Sequence, residues 1–277
     1  MMTSGSTAIK GVILCADDFA VNESASTGIV KLASMRRLSA TSVMVLSSRW
    51  PRDVALLQAL RGRMDVGLHL DWTSEFAIAS GHGMALRSAM LKATLGGFGR
   101  GAAATVTRGV IERQLDAFEA QWKAPPDFVD GHQHVQQFAG IREALVQALV
   151  SRYGARKPYV RISRAPAGAS NAKIRLVAAM GAAALETLVR DAKIALTPAL
   201  LGSYDFSGDA QRYARLMKGW LNVAPAGGLI MCHPALAAES GDAIGAARQR
   251  EFAYLSGTDF PAALAQAGAE LARGAGR

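Results

Sequence analysis

The run GVILCA at residues 11–16 is continuously apolar, the pattern of a strand covered on both faces. Asp17 to Asn22 read as a turn, and Ile29, Leu32 and Ala33 fall at helical spacing in a helix reaching about residue 36. A β-branched run at 41–46 predicts a second strand, and Pro51 opens a helix to about residue 60 from the first-turn position that proline favours. Residues 66–70 give a third strand. From 72 to about 101, glycines at 81, 83, 96, 97, 99 and 101 break every periodicity, which predicts a long loop or insertion. A helix resumes near Thr105 and stops before Pro125-Pro126. Residues 128–130 form a short fourth strand, and Ile141, Ala144, Leu145, Ala148 and Leu149 stripe the next helix. A fifth strand at 159–162, an alanine-rich helix at 172–193 and a sixth strand at 194–201, despite Pro198, come next. A helix at 209–221, a seventh strand at 228–232 and one or two terminal helices complete the chain.

Strand and helix thus alternate about seven times, an order that predicts parallel strands with helices outside them. The expected fold is α/β: a distorted, roughly seven-stranded (β/α) TIM-like barrel, one domain over residues 1–277 with the insertion at 72–101. In such barrels the chemistry sits where the strands end.

Composition narrows the functions. Half of the 277 residues are apolar, and the formal net charge is +9. A positive balance favours anionic partners. The basic residues, however, come in ones and twos without interleaved aromatics, so nucleic acid is not an expected partner. Cys15 and Cys232 lie in apolar runs and form no C-x-x-C pair, which excludes a zinc ribbon or disulfide framework and fits a reducing compartment. The apolar stretch at 11–16 is too short for a signal-peptide core or a membrane span, so a cytoplasmic location is expected. A homodimer stays open.

Four strand ends carry polar groups that an apolar core would reject: Asp17-Asp18, His69, the segment from Asp130 to His134, and His233. At the turn after a strand, Asp17 and Asp18 can both face the barrel mouth, although one could simply cap the next helix. His69 alone reads equally as a hydrogen-bonded strand-end residue. His132 and His134, at i and i+2 on an extended segment, would share a face. Histidines with a carboxylate suit a divalent metal. His233, fixed by Pro234, reads as ligand, acid or strand-end residue alike. Four independent caps explain this combination poorly.

The segments Ala16-Asp17-Asp18-Phe19, Gly67-Leu68-His69-Leu70, Asp130-Gly131-His132-Gln133-His134-Val135 and Cys232-His233-Pro234 are similar, in that order, to the YdjC-like carbohydrate deacetylases. The resemblance runs from about Lys10 to Phe260. It implies a barrel with one divalent ion, magnesium or zinc, held by Asp18, His69 and His132. It further implies Asp17 as general base and His233 as acid, with His134 in reserve. The implied substrate is an N-acetylated sugar, chitooligosaccharide-like or lipid-linked. Arg161 and Arg164, beside strand five, could hold substrate hydroxyls or an anionic group. Three positions depart from the family pattern: Ala20 and Ala235 stand where glycine is frequent, and Gln136 where a further histidine is. All three lie beside the pocket, and none is a presumed ligand. Two other readings remain. A metal-dependent phosphoesterase would often need two ions about 3.5–4 Å apart and more ligands than are seen. A non-catalytic sugar-binding barrel would leave the acidic pair and histidines without a task.

Overall fold

In the computed structural model, which describes residues 9–166 and 171–274, every strand pairing is parallel. The elements are β1 (Lys10–Phe19), α1 (Glu23–Ser34), β2 (Ala40–Val43), α2 (Trp50–Gln58), β3 (Asp65–Leu70), α3 (Glu75–Ala79), α4 (Leu86–Thr94), α5 (Ala102–Trp122), β4 (Phe128–Gly131), α6 (Ile141–Tyr153), β5 (Tyr159–Val160), α7 (Ala172–Ala179), α8 (Ala182–Asp191), β6 (Leu200–Leu201), α9 (Ala210–Val223), β7 (Leu229–Cys232), α10 (Gly245–Ser256), α11 (Asp259–Gln266) and β8 (Ala269–Leu271). The seven main strands lie in the order β5-β4-β3-β2-β1-β7-β6. The two ends of this sheet are drawn together by backbone bonds. Val160 N–H donates to Ala195 O at 2.9 Å, Thr197 N–H to Val160 O at 3.1 Å, and Leu200 N–H to Arg164 O at 2.8 Å. The sheet is therefore curled into the distorted barrel expected, with β1 central and buried from Val12 onwards.

Local chemistry sets the helix starts. Asn22 caps α1 by accepting from Ala25 N–H, Asn171 caps α7 from Ile174 N–H, and Asp209 caps α9 from Arg212 N–H. The helices pack aromatic side chains onto the sheet: Trp50 of α2 meets Phe19 edge-on at 6.4 Å and stacks on Phe118 of α5 at 5.8 Å.

Three expectations need correction. The helix expected at 172–193 is two helices broken at Gly181, whose φ is +132° and where a Cβ would lie 2.3 Å from Gln137 O. Only glycine permits that conformation and that approach, and alanine-rich periodicity on both sides hid the break. The 72–101 segment is not a bare loop. It carries α3, capped by Ser74 accepting from Phe76 and Ala77 N–H, and α4. Both are too short to register as a period among so many glycines. Lastly, β8 pairs the first residues of β1 and was not expected, because three residues carry no readable alternation.

Candidate active site

Asp17 and Asp18 face one interior because β1 bulges there. Its pairing with β2 shifts register between Ala16 and Phe19, so three steps on β1 oppose two on β2. Asp18 and Ala20 take left-handed backbone angles, φ 67° and 71°. Neighbouring side chains that would point to opposite faces of a flat strand are both turned inward and buried.

Ala20 bears the strain of this turn: alanine at positive φ costs roughly 1–2 kcal/mol, against the 0.4–1 kcal/mol by which glycine loosens the unfolded chain.

Asp18, His69 and His132 converge, each offering a donor atom within 4.8 Å of the others. Asp18 Oδ1 lies 3.4 Å from His69 Nε2 and 3.2 Å from His132 Nδ1. His69 Nδ1 is 2.6 Å from Asp130 Oδ1 and 3.1 Å from Ser42 Oγ. If that nitrogen donates to the carboxylate, Nε2 is left to face Asp18, the usual back-bonding of a metal-ligating histidine. Two imidazoles and a carboxylate with this support fit a divalent ion such as zinc.

His132 and His134 do not lie on an extended segment. β4 ends at Gly131, and the two histidines lie in a short 3-10 turn in which Gln133 and His134 have φ 52° and 64°. The rings part. His132 turns to Asp18, while His134 is buried with Nδ1 3.0 Å from Ser163 Oγ. Gly131 permits the turn, since a Cβ there would sit 2.8 Å from Gln136 Oε1. Gln136 in turn donates to Arg161 O and Ser163 Oγ, at 3.1 and 3.0 Å.

The two arginines beside β5 take different places. Arg161 is fully buried. Its Nη1 donates to both oxygens of Asp17 at 2.8 Å and lies 3.0 Å from Asp130 Oδ2. It clamps two carboxylates from the wall of the cavity that the histidines line. Arg164 is half-exposed and paired with Glu186 at 2.6 Å, away from the cavity wall. Arg161 also answers the two-ion reading. Cys15, Asp17 and Asp130 form a second cluster of donor types, but the guanidinium already supplies its positive charge. Burial pushes the Cys15 thiol up, and Asp17 and Asp130 add to it.

Sequence reasoning missed Arg248 and Glu251 on α10. Helical residues at the far end of the chain carry no strand-end signal. Arg248 Nη2 donates to Asp18 Oδ2 at 2.7 Å and its Nε to Asp242 Oδ2 at 2.8 Å, leaving Asp18 Oδ1 toward the histidines. Glu251 accepts from His233 N–H at 2.6 Å and from Tyr204 O–H at 2.7 Å. It ties the end of β7 to the loop after β6.

These charges set the protonation states. Burial alone would raise the carboxyl of Asp17, but Arg161, His69 and His233 together outweigh it and hold the group below its ordinary value. Asp18, likewise opposed by burial, is held well below by Arg248 and by the bonds to His132 and His69. Burial disfavours charge on His69, yet Asp130 overrides it and lifts the ring to about 10. A field that retains a proton there equally favours a metal cation. His134 is pushed well down by burial, with Arg161 adding to it. Burial also lowers His233, to about 4, and its Nδ1 has no partner among the described residues.

Asp17, Asp18, His69, His132, His134 and His233 all line one cavity of about 860 Å³. The 72–101 segment supplies part of its wall through Ser74, Glu75, Phe76 and Leu86.

A crystal structure of an Enterococcus faecalis protein proposed to cleave cellobiose phosphate has the same fold. The TM-score is 0.70 at 18% identity, covering 96% of this chain and 98% of that one. The Xyl-CE4 domain of a multidomain xylanase from the hindgut metagenome of Trinervitermes trinervoides is more distant. Its TM-score is 0.46 at 12% identity, with 95% and 87% covered. No curated protein matches the chain. The family model described as YdjC-like protein matches residues 11–266, so this chain belongs to the YdjC-like family.

Proposed function

We propose that this protein is a metal-dependent hydrolase that removes the acetyl group from an N-acetylated sugar. The observation that carries the reading is the convergence of Asp18, His69 and His132 beside a second carboxylate, Asp17, that Arg161 holds ionised. The residues fit the ion the family implies, and Asp18, His69 and His132 would hold it. Bound there, a divalent cation would supply acidity to water and charge to offset a developing oxyanion.

The remaining work falls to the chain itself. Asp17 is ionised at neutral pH and accepts the proton of the attacking water. The two bonds from Arg161 keep its carboxylate from turning away. The leaving nitrogen must be protonated, and His233, on the cavity wall, is the donor. It enters the reaction neutral, so the proton it passes to the leaving nitrogen is the one Asp17 has taken from the water, and both groups end as they began. His134 is the weaker candidate because Ser163 engages its Nδ1.

Acetate release from N-acetylglucosamine oligomers, assayed with and without a chelator, tests the proposal. Release that the chelator abolishes and added metal restores is expected. No release, or release indifferent to the chelator, rejects it. A separate titration addresses the ligands: wild-type protein should take up one zinc ion per chain, and His132→Ala should weaken that binding by at least about 100-fold. Equal zinc affinity in the variant would remove His132 from the ligand set.

A further inference from the structure

The excursion that walls the cavity also carries an outward face that the proposed reaction does not use. Large apolar side chains stand exposed along it, Ile78 at 55%, Leu91 at 61% and Leu95 at 65%, and Val106 follows on the first turns of α5 at 62%. On α4 the buried face is Ala89 and Ala93. Leu91 and Leu95, one turn apart, lie on the opposite side of the helix with Arg87 in line. Surface leucines scattered singly mean nothing, but two in line one turn apart, on a helix whose first residue lines the cavity, make an apolar strip.

Charge identifies what would cover this face. Residues 76–111 contain no aspartate or glutamate and four basic residues, Arg87, Lys92, Arg100 and Arg108. Arg108 is paired with Glu112, whereas Arg87, Lys92 and Arg100 are exposed and in no ion pair among the described residues. Exposed leucines interleaved with cations and no acid are the composition of a helix that lies in a bilayer interface. The chain as a whole adds a net charge of +9. Leu86, at the start of α4, lines the cavity, and Leu95 follows about 14 Å further along the helix path.

We propose that the face formed by α4 and its flanks docks on an anionic lipid bilayer, placing the cavity mouth at the membrane surface. Docking through one exposed helix face is peripheral and reversible. This holds whether or not the deacetylase reading does, because it concerns binding and not turnover.

Sedimentation with vesicles tests it. Full-length wild type should co-sediment with vesicles containing phosphatidylglycerol, less so with pure phosphatidylcholine, and release as salt rises. The double variant Leu91→Ser/Leu95→Ser should bind anionic vesicles roughly ten-fold or more weakly while keeping its melting temperature. Arg87→Gln/Lys92→Gln should weaken binding to anionic vesicles and leave any binding to neutral ones unchanged. Failure of wild type to bind anionic vesicles, or unaltered binding by both double variants, overturns the proposal. So does self-association in the ultracentrifuge that the leucine variant abolishes, since the face would then belong to a second copy of the chain.

Discussion

Asp17→Asn is expected to lower the rate of acetate release by about 10²- to 10⁴-fold, the range that a general base contributes. Zinc affinity should change little, because Asp17 is not among the converging donors. The two measurements together separate a base from a ligand. Wild-type turnover in the variant would exclude Asp17 as base, and loss of zinc would make it a ligand. The amide keeps the shape of the side chain and one acceptor for Arg161, and Asp130 still faces the guanidinium, but the lost charge should lower stability, so turnover is compared at a temperature where the variant is folded. A melt of the same variant sets that temperature.

Arg161→Met is expected to produce the largest loss of stability. The guanidinium is buried between Asp17 and Asp130, and through Asp130 it supports His69. Removing one partner of a buried ion pair costs about 3–5 kcal/mol, since the remaining charge is left uncompensated. For a chain of this size, that is a fall in melting temperature on the order of 10 °C. The loss should depend on pH with a definite sign. In the wild type the carboxyl of Asp17 is held below its ordinary value, so the pair stabilises fully above about pH 4 and fades as pH falls below that. In the variant the arginine is gone, and burial, which acts to raise the carboxyl, goes unopposed by it. The unpaired acid then destabilises increasingly as pH rises above about 4. The gap between wild type and variant should be widest at pH 7 and shrink toward pH 4. A gap that is constant or grows on acidification would show that Arg161 acts by packing and not by charge.

Much of the candidate site was legible because a barrel turns a one-dimensional pattern into a place. Apolar strands that end in Asp17-Asp18, His69, His132 and His233 have to deliver those groups to one rim, provided the strands are parallel. Asp18, His69 and His132 do meet. Local geometry was not legible in the same way. His132 and His134 were paired on the assumption of an extended segment, but Gly131 lets the chain coil and sends the rings apart. Arg161 and Arg164 look alike in sequence, three residues apart after one strand. One is buried against two carboxylates and the other lies at the surface with Glu186.

The alternation of apolar strands with helical stripes determined, by itself, a parallel α/β barrel and the rim where its chemistry collects. That follows because burial and periodicity are properties of short stretches. Tertiary structure alone decided the rest. The bulge that aims both aspartates inward, the clamp of Arg161 on Asp17 and Asp130, and the hold of Arg248 on Asp18 from 230 residues away all needed it. Each depends on a buried charge finding its partner across the barrel, and the cost of leaving such a charge unpaired is set by the surroundings, not by neighbours in the chain.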